Sequence, residues 1–196
     1  MARRPNILVT GTPGVGKSSL SAQLAQELGL QHLNVGELIK KECLYTAWDE
    51  ELDCSVFDEE LLEQRLSELL APPAPEAPEA PGAPGAPGAP GGPGGLVVDF
   101  HSCCCMRRSW FGLVFVLRAD TEVLYDRLQA RLYPPAKIQQ NLQAEIFQVL
   151  LDEAREAFGA PNVQQLPSND IHDFHRNLQT IKQAYQRLLE PRSAQN

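Results

Sequence analysis

Apolar and polar positions alternate along the chain at two spacings, and the two spacings take turns. Asn6–Thr10 is an apolar run of strand length that leads directly into a glycine-rich turn, Gly11 to Gly16. Over residues 18–28, Leu20, Leu24 and Leu28 stand at helical spacing, and Gly29 is placed to stop that helix. Gln31–Asn34 predicts a second, weaker strand. Residues 35–44 and 58–70 predict helices, with an acidic, less regular stretch between them that holds Asp49, Glu50, Glu51 and Asp53. Residues 96–100 and 113–117 are two further apolar runs of strand length. Residues 121–132 predict a helix with Asp120 or Thr121 as N-cap. Residues 136–158 predict one long helix, which Pro134-Pro135 suits as a start. Residues 163–166 predict a last strand and Ile171–Leu189 a closing helix. Strands alternating with helices imply a parallel sheet of five strands with helices on both faces, a three-layer α/β fold.

Residues 72–95 interrupt this order. They run in triplets, Ala-Pro-Glu twice and then Gly-Ala-Pro repeats, with glycine at 82, 85, 88, 91 and 94. The period is collagen-like but far too short for a triple helix, so the expectation is a disordered, partly extended linker or an expanded surface loop. A docking site for a proline-binding partner is the alternative. Lengthening a loop to about 25 residues adds only roughly 1–2 kcal/mol of closure entropy, which the fold tolerates.

Composition narrows the function. Apolar residues are 43% and charged residues 21% of the chain, enough for a buried core within a single domain of 1–196. The net charge of -8 disfavours a nucleic-acid partner gripped through its phosphates and suits a basic protein partner. No window approaches the roughly 18 apolar residues of a membrane span, and the basic start is followed by too short an apolar run for a signal peptide. The five cysteines are odd in number, and Cys103, Cys104 and Cys105 are adjacent, which points to a reducing compartment, cytosol or nucleus.

The chemistry is concentrated after the first strand. Gly11-Thr-Pro-Gly-Val-Gly-Lys17-Ser18 fits the phosphate-binding pattern G-x-x-x-x-G-K-[ST] at every fixed position, with a strand before and a helix after. Glycines such as Gly14 and Gly16 let the backbone curl so that its N–H groups point at phosphate oxygens, and the helix that follows starts at the anion. Lys17 supplies a mobile charge to the outer phosphates, and the Ser18 hydroxyl suits magnesium. Leu96-Val-Val-Asp99 offers the carboxylate that holds the metal through water, although a strand-end aspartate also serves as an ordinary turn cap. His101 falls on the same side of an extended chain as Asp99, where it would position a water or relay a proton unless it is structural. Arg127 and Arg131, four apart on one helix, suit a transferring phosphoryl group or ordinary surface ion pairs. The three cysteines beside His101 invite a zinc reading. That reading is disfavoured, because a second C-x₂-C pair is missing and adjacent cysteines do not easily all face one ion.

In order along the chain, the stretch from Pro5 to Lys17, Asn34-Val-Gly-Glu37, Asp49 to Cys54, Val97 to His101, Val114 to Arg118, Asn141 to Leu150 and Gln165 to Asn169 resemble the adenylate kinase isoenzyme six family. The resemblance spans nearly the whole chain apart from residues 72–95. It implies a P-loop kinase with a monophosphate-binding segment over about 34–57 and a short lid over about 131–141. ATP would be held by Gly14, Gly16, Lys17, Ser18, Ser19 and Arg131, and the monophosphate by Gly36 and Lys40. Lys17, Asp99, His101, Arg127 and Arg131 are the catalytic candidates; Ser18 and, through water, Asp99 are the candidates for Mg²⁺. The resemblance further implies phosphorylation of AMP by ATP, an ATPase activity, a small-subunit ribosomal protein as partner, a monomer, and a place in nucleus and cytoplasm. Three departures stand out. Lys40 takes the place of an arginine and loses its bidentate fork, Leu132 follows Arg131 in place of a glycine, and residues 102–109 differ from the family's run. They define the alternative, a nucleotide-gated ribosome-assembly factor with weak or lost kinase activity.

Overall fold

The computed structural model describes residues 4–49, 54–70 and 95–190. In chain order its elements are β1 (Asn6–Thr10), α1 (Lys17–Leu28), β2 (Gln31–Asn34), α2 (Val35–Glu42), β3 (Tyr45–Asp49), β4 (Cys54–Phe57), α3 (Glu59–Leu70), β5 (Leu96–Asp99), β6 (Phe111–Arg118), α4 (Thr121–Ala130), α5 (Pro135–Ile146), α6 (Val149–Phe158), β7 (Val163–Pro167) and α7 (Ile171–Leu189). The proposed 72–95 insertion lies outside the described residues except for Gly95, as do Glu50, Glu51 and Asp53 of the acidic stretch.

β1 is buried at all five positions, which requires cover on both faces of its sheet. It is the central strand of a five-stranded sheet in the order β2-β5-β1-β6-β7, parallel at every pairing. Ile7 and Val9 point to one face, where they join Leu20 and Leu24 of α1, Leu124 and Leu128 of α4, and Leu178 and Ile181 of α7. Leu8 points to the other face, into a core with Val35 and Ile39 of α2, Leu66 of α3, and Leu151 and Phe158 of α6. On α3, Leu62, Leu66 and Leu70 recur every fourth position and are all fully buried. Burial of each such side chain stabilises the fold by roughly 1.5–3 kcal/mol.

Four elements differ from the sequence pattern. The helix predicted over 121–132 ends at Ala130, with Arg131 as its C-cap and Leu132 left-handed at φ 58°. The helix predicted over 35–44 ends at Glu42, where Cys43 adopts a left-handed conformation (φ 55°) and Leu44 N–H bonds back to the Ile39 carbonyl. On either side of residues 50–53, β3 and β4 pair antiparallel, apart from the main sheet. The long helix predicted over 136–158 is broken at Gln148, which is left-handed at φ 58°. The break has a packing reason. Ile138 of α5 belongs to one face of the sheet, whereas Leu151, Ala154 and Phe158 of α6 belong to the other. A straight helix cannot pass from one face to the other, so the chain turns sharply between them.

Candidate functional site

Parallel pairing brings three strand ends to one edge. Val9 of β1 is in register with Asp99 of β5, and Asp99 with Asn34 of β2. The crevice outside the carboxyl ends of such strands is where open α/β sheets take ligands. Here the loop after β1 fills it. Gly11 (φ 137°) and Gly14 (φ 99°) have backbone conformations that L side chains rarely adopt. A Cβ on Gly11 would collide with the Leu117 carbonyl oxygen, and one on Gly14 would meet Leu124 and Leu128 at 2.8 and 2.9 Å. The loop therefore lies directly on β6 and α4.

Lys17, at the start of α1, donates from Nζ to the Gly11 and Thr12 carbonyls at 2.8 and 3.0 Å. Burial pushes its pKa down to about 8; Arg131 adds to the fall, while Asp99 and Glu145 oppose it. Next to it, the Ser18 hydroxyl accepts from Asn34 Nδ2 at 3.1 Å, and the same nitrogen stands 3.3 Å from Asp99 Oδ2. Asn34 is also the N-cap of α2, its Oδ1 accepting from the Glu37 N–H at 2.8 Å. His32 Nε2 lies 3.3 Å from Asp99 Oδ2. A hydroxyl and a buried carboxylate joined through one amide make a hard oxygen donor set, the kind that suits magnesium.

A cleft of about 180 Å³ is lined by Gly14, Gly16, Lys17, Ser18 and Ser19 on the loop side, and by Gly36, Asp99, His101 and Arg131 around it. His101 keeps an exposed edge at the cleft. Enclosure by the protein, followed by the charges of Lys17 and Lys137, pushes its pKa down to about 4, so the ring is neutral at physiological pH. Two candidates stand elsewhere. Arg127 donates to the Ser168 and Asn169 carbonyls at 2.7 and 2.8 Å, tying α4 to the connection between β7 and α7. Lys40 lies exposed in the last turn of α2, off the cleft lining.

Several participants escaped the sequence pattern. Thr12, fully buried, donates its hydroxyl to Glu145, whose carboxylate also accepts from Arg118 Nε and, at 3.1 Å, from the Ala119 N–H. Ser168 Oγ donates to the Val15 carbonyl at 2.7 Å, bracing the loop from the side. Asn34, Glu145 and Ser168 all lie in stretches that carry the family resemblance, which was the available signal. A glutamate in the last turn of α5 has no local feature that marks it as the support of a loop 133 residues earlier. In the cysteine run, burial pushes the Cys103 thiol up to about 12, and a hydrogen bond from Cys105 first, then one from Ser102, brings Cys104 down to about 7.

A parallel five-stranded sheet with this loop after its central strand defines the class: a P-loop nucleotide-binding protein of the α/β type. Residues 7–148 match the AAA domain family. The chain is 40% identical to an adenylate kinase isoenzyme 6 homolog of Caenorhabditis elegans, over 91% of this chain and 88% of that protein. It is 36% identical to an adenylate kinase isoenzyme 6 homolog of Dictyostelium discoideum, over 95% of each. Among solved structures, shikimate kinase from Bacteroides thetaiotaomicron superposes with a TM-score of 0.58 at 17% identity, covering 93% of this chain and 98% of that one, a likeness of fold alone. The chain belongs to the adenylate kinase isoenzyme 6 family.

Proposed function

We propose that the chain transfers the terminal phosphoryl group of ATP to AMP, and less readily to other nucleoside monophosphates, and that it also hydrolyses ATP in a step of small ribosomal subunit assembly. The observation that carries the transfer reading is the convergence of Lys17, Ser18, Asp99 and Arg131 on one cleft that Gly36 also lines. The backbone N–H groups around Gly14 and Gly16 and the start of α1 cradle the phosphates. Lys17 and Arg131 place positive charge beside the outer phosphates, where charge spreads during transfer. Magnesium arriving with ATP would be held by Ser18 and, through water, by Asp99, and would supply charge neutralisation. The α2 side, with Gly36 and Lys40, is assigned to AMP. Little covalent work falls to the protein, so positioning and charge carry the rate.

A second reading, a nucleotide-gated assembly factor with weak kinase activity, is favoured by one observation. Lys40 and Arg127 stand away from the cleft, while the neutral His101 stands on its wall. His101 then orients a water toward the phosphate. The net charge of -8 supports a basic ribosomal protein as the partner, and a monomer working in nucleus and cytoplasm is part of the same proposal.

The test is ADP production from ATP and magnesium with and without AMP. Strong stimulation, with ADP formed from both nucleotides, establishes transfer. Slow release indifferent to every monophosphate overturns the transfer reading and leaves the assembly ATPase.

A further inference from the structure

The run Cys103-Cys104-Cys105 divides its three thiols in a way that adjacency alone does not suggest. Cys103 is 2% exposed and turned into the core formed with α3 and α6. Cys104 is exposed and Cys105 buried, yet their sulfurs lie 3.4 Å apart. The Cys105 sulfur is also 3.7 Å from the carbonyl oxygen of Glu59, at the start of α3. A Glu59 carboxylate oxygen and the sulfurs of Cys104 and Cys105 all fall within 4.8 Å of one another.

Other contacts hold this loop in shape. The Glu153 carboxylate accepts from the Ser102 hydroxyl at 2.7 Å and from the Cys103 N–H. Ser102 Oγ accepts from the Cys104 N–H at 3.2 Å, and the Cys103 carbonyl from the Met106 N–H at 3.0 Å. The loop's own contacts, together with an S–H···S hydrogen bond between Cys104 and Cys105, set the two sulfurs side by side.

We infer that Cys104, Cys105 and Glu59 form a binding site for a thiophilic divalent cation of the zinc kind, through two sulfurs and one carboxylate oxygen. Sulfur with a single oxygen selects zinc over magnesium, which prefers oxygen throughout. Bond lengths of about 2.3 Å to sulfur and 2.0 Å to oxygen, in tetrahedral array, put the two sulfurs about 3.8 Å apart and the oxygen about 3.5 Å from each. The three donor atoms reach that arrangement by small side-chain shifts. Exposed Cys104 and Glu59 give the ion a way in and leave its fourth position to water. On binding, whatever thiol protons Cys104 and Cys105 still carry pass to solvent. The objection that three adjacent cysteines cannot face one ion does not apply, because one faces the core and α3 provides the third donor. None of the three residues lines the nucleotide cleft. A bound ion would pin the start of α3 to the loop that follows His101.

The experiment is a titration of the reduced full-length chain with cadmium, a spectroscopic stand-in for zinc, following the ultraviolet charge-transfer band of cadmium–thiolate bonds. The band is expected to saturate at one ion per chain and to be reversed by zinc. Cys104→Ser should weaken binding at least about tenfold and lower the band. Glu59→Gln should weaken binding while the sulfur band stays. Cys43→Ser, an exposed thiol outside the site, should change neither. Should Cys105→Ser fail to fold, the exposed Cys104 variant, with its fold checked by circular dichroism, decides alone. No saturable band, or one that survives Cys104→Ser or vanishes with Cys43→Ser, overturns the site. The readout sees thiolates and not turnover, so it is independent of the kinase proposal.

Discussion

Lys17 is held by two loop carbonyls and partly desolvated, and these two facts set its response to nucleotide and pH. Lys17→Ala is expected to lower ATP turnover by about a hundredfold or more, since a preorganised charge at the transferring group is lost. A turnover assay on a variant with wild-type circular dichroism checks this, and retained activity would remove the central claim. With a pKa of about 8, down from 10.5, part of the free protein lacks the Lys17 charge at pH 8.5. ATP should restore the proton, so binding takes up protons there and weakens as pH rises. Calorimetry in two buffers of different ionisation enthalpy measures that uptake. His101 moves in the same direction, from 6.5 to about 4. The unfolded chain then takes the proton first as pH falls. The stability gained from a neutral ring is complete above about 6.5 and lost as pH drops through 4. Denaturant unfolding at pH 7 and pH 4.5 should show a smaller loss for His101→Gln than for the parent chain; equal losses would mean the ring is not shielded.

At the scale of elements, Glu145 ties α5 to the phosphate loop. Glu145 is 3% exposed in its side chain and Arg118 17%, and between them they join α5, β6 and the Thr12 hydroxyl. Removing one partner of such a pair leaves a desolvated charge without its counterpart. Glu145→Ala is therefore expected to cost about 3 kcal/mol in urea unfolding. It should also weaken ATP binding, because Thr12 loses its acceptor. A stability loss with unchanged ATP affinity would show that the loop holds its shape without α5. This link was not legible in the sequence. The apolar spacing over 136–158 marks helix correctly but is the same on either side of Gln148. Only the two cores of the sheet require the turn there.

For the molecule as a whole, α3 ends on fully buried Leu70, and β5 begins where the Gly95 and Leu96 N–H groups bond to Asn6 Oδ1 at 3.1 and 3.0 Å. Both flanks of the repeat region are thus fixed by contacts of their own. Deleting residues 74–94 is expected to leave ATP turnover within a fewfold and to shift stability by no more than roughly 1–2 kcal/mol. A collapse of activity would make the repeat part of the machinery. No helix among the described residues is long and apolar enough to cross a membrane.

By itself, the sequence determined what depends on near neighbours. The five strand runs, the glycine loop with Lys17 and Ser18, and the closing helix Ile171–Leu189 all follow from local spacing, glycine conformations and apolar period. It also placed Asp99 at a strand end, because an apolar run that stops at a carboxylate is a local signal. Tertiary structure alone decided matters of register and facing. Strand pairing put Asn34 between Ser18 and Asp99, turned Arg127 toward the β7–α7 connection while Arg131 lines the cleft, and set Glu145 under Thr12. It also separated the three cysteines. The physical reason is the same in each case. A side chain's partner is chosen by which strand lies beside which and which face of the sheet a helix covers, and neither is written in the spacing of residues along one segment.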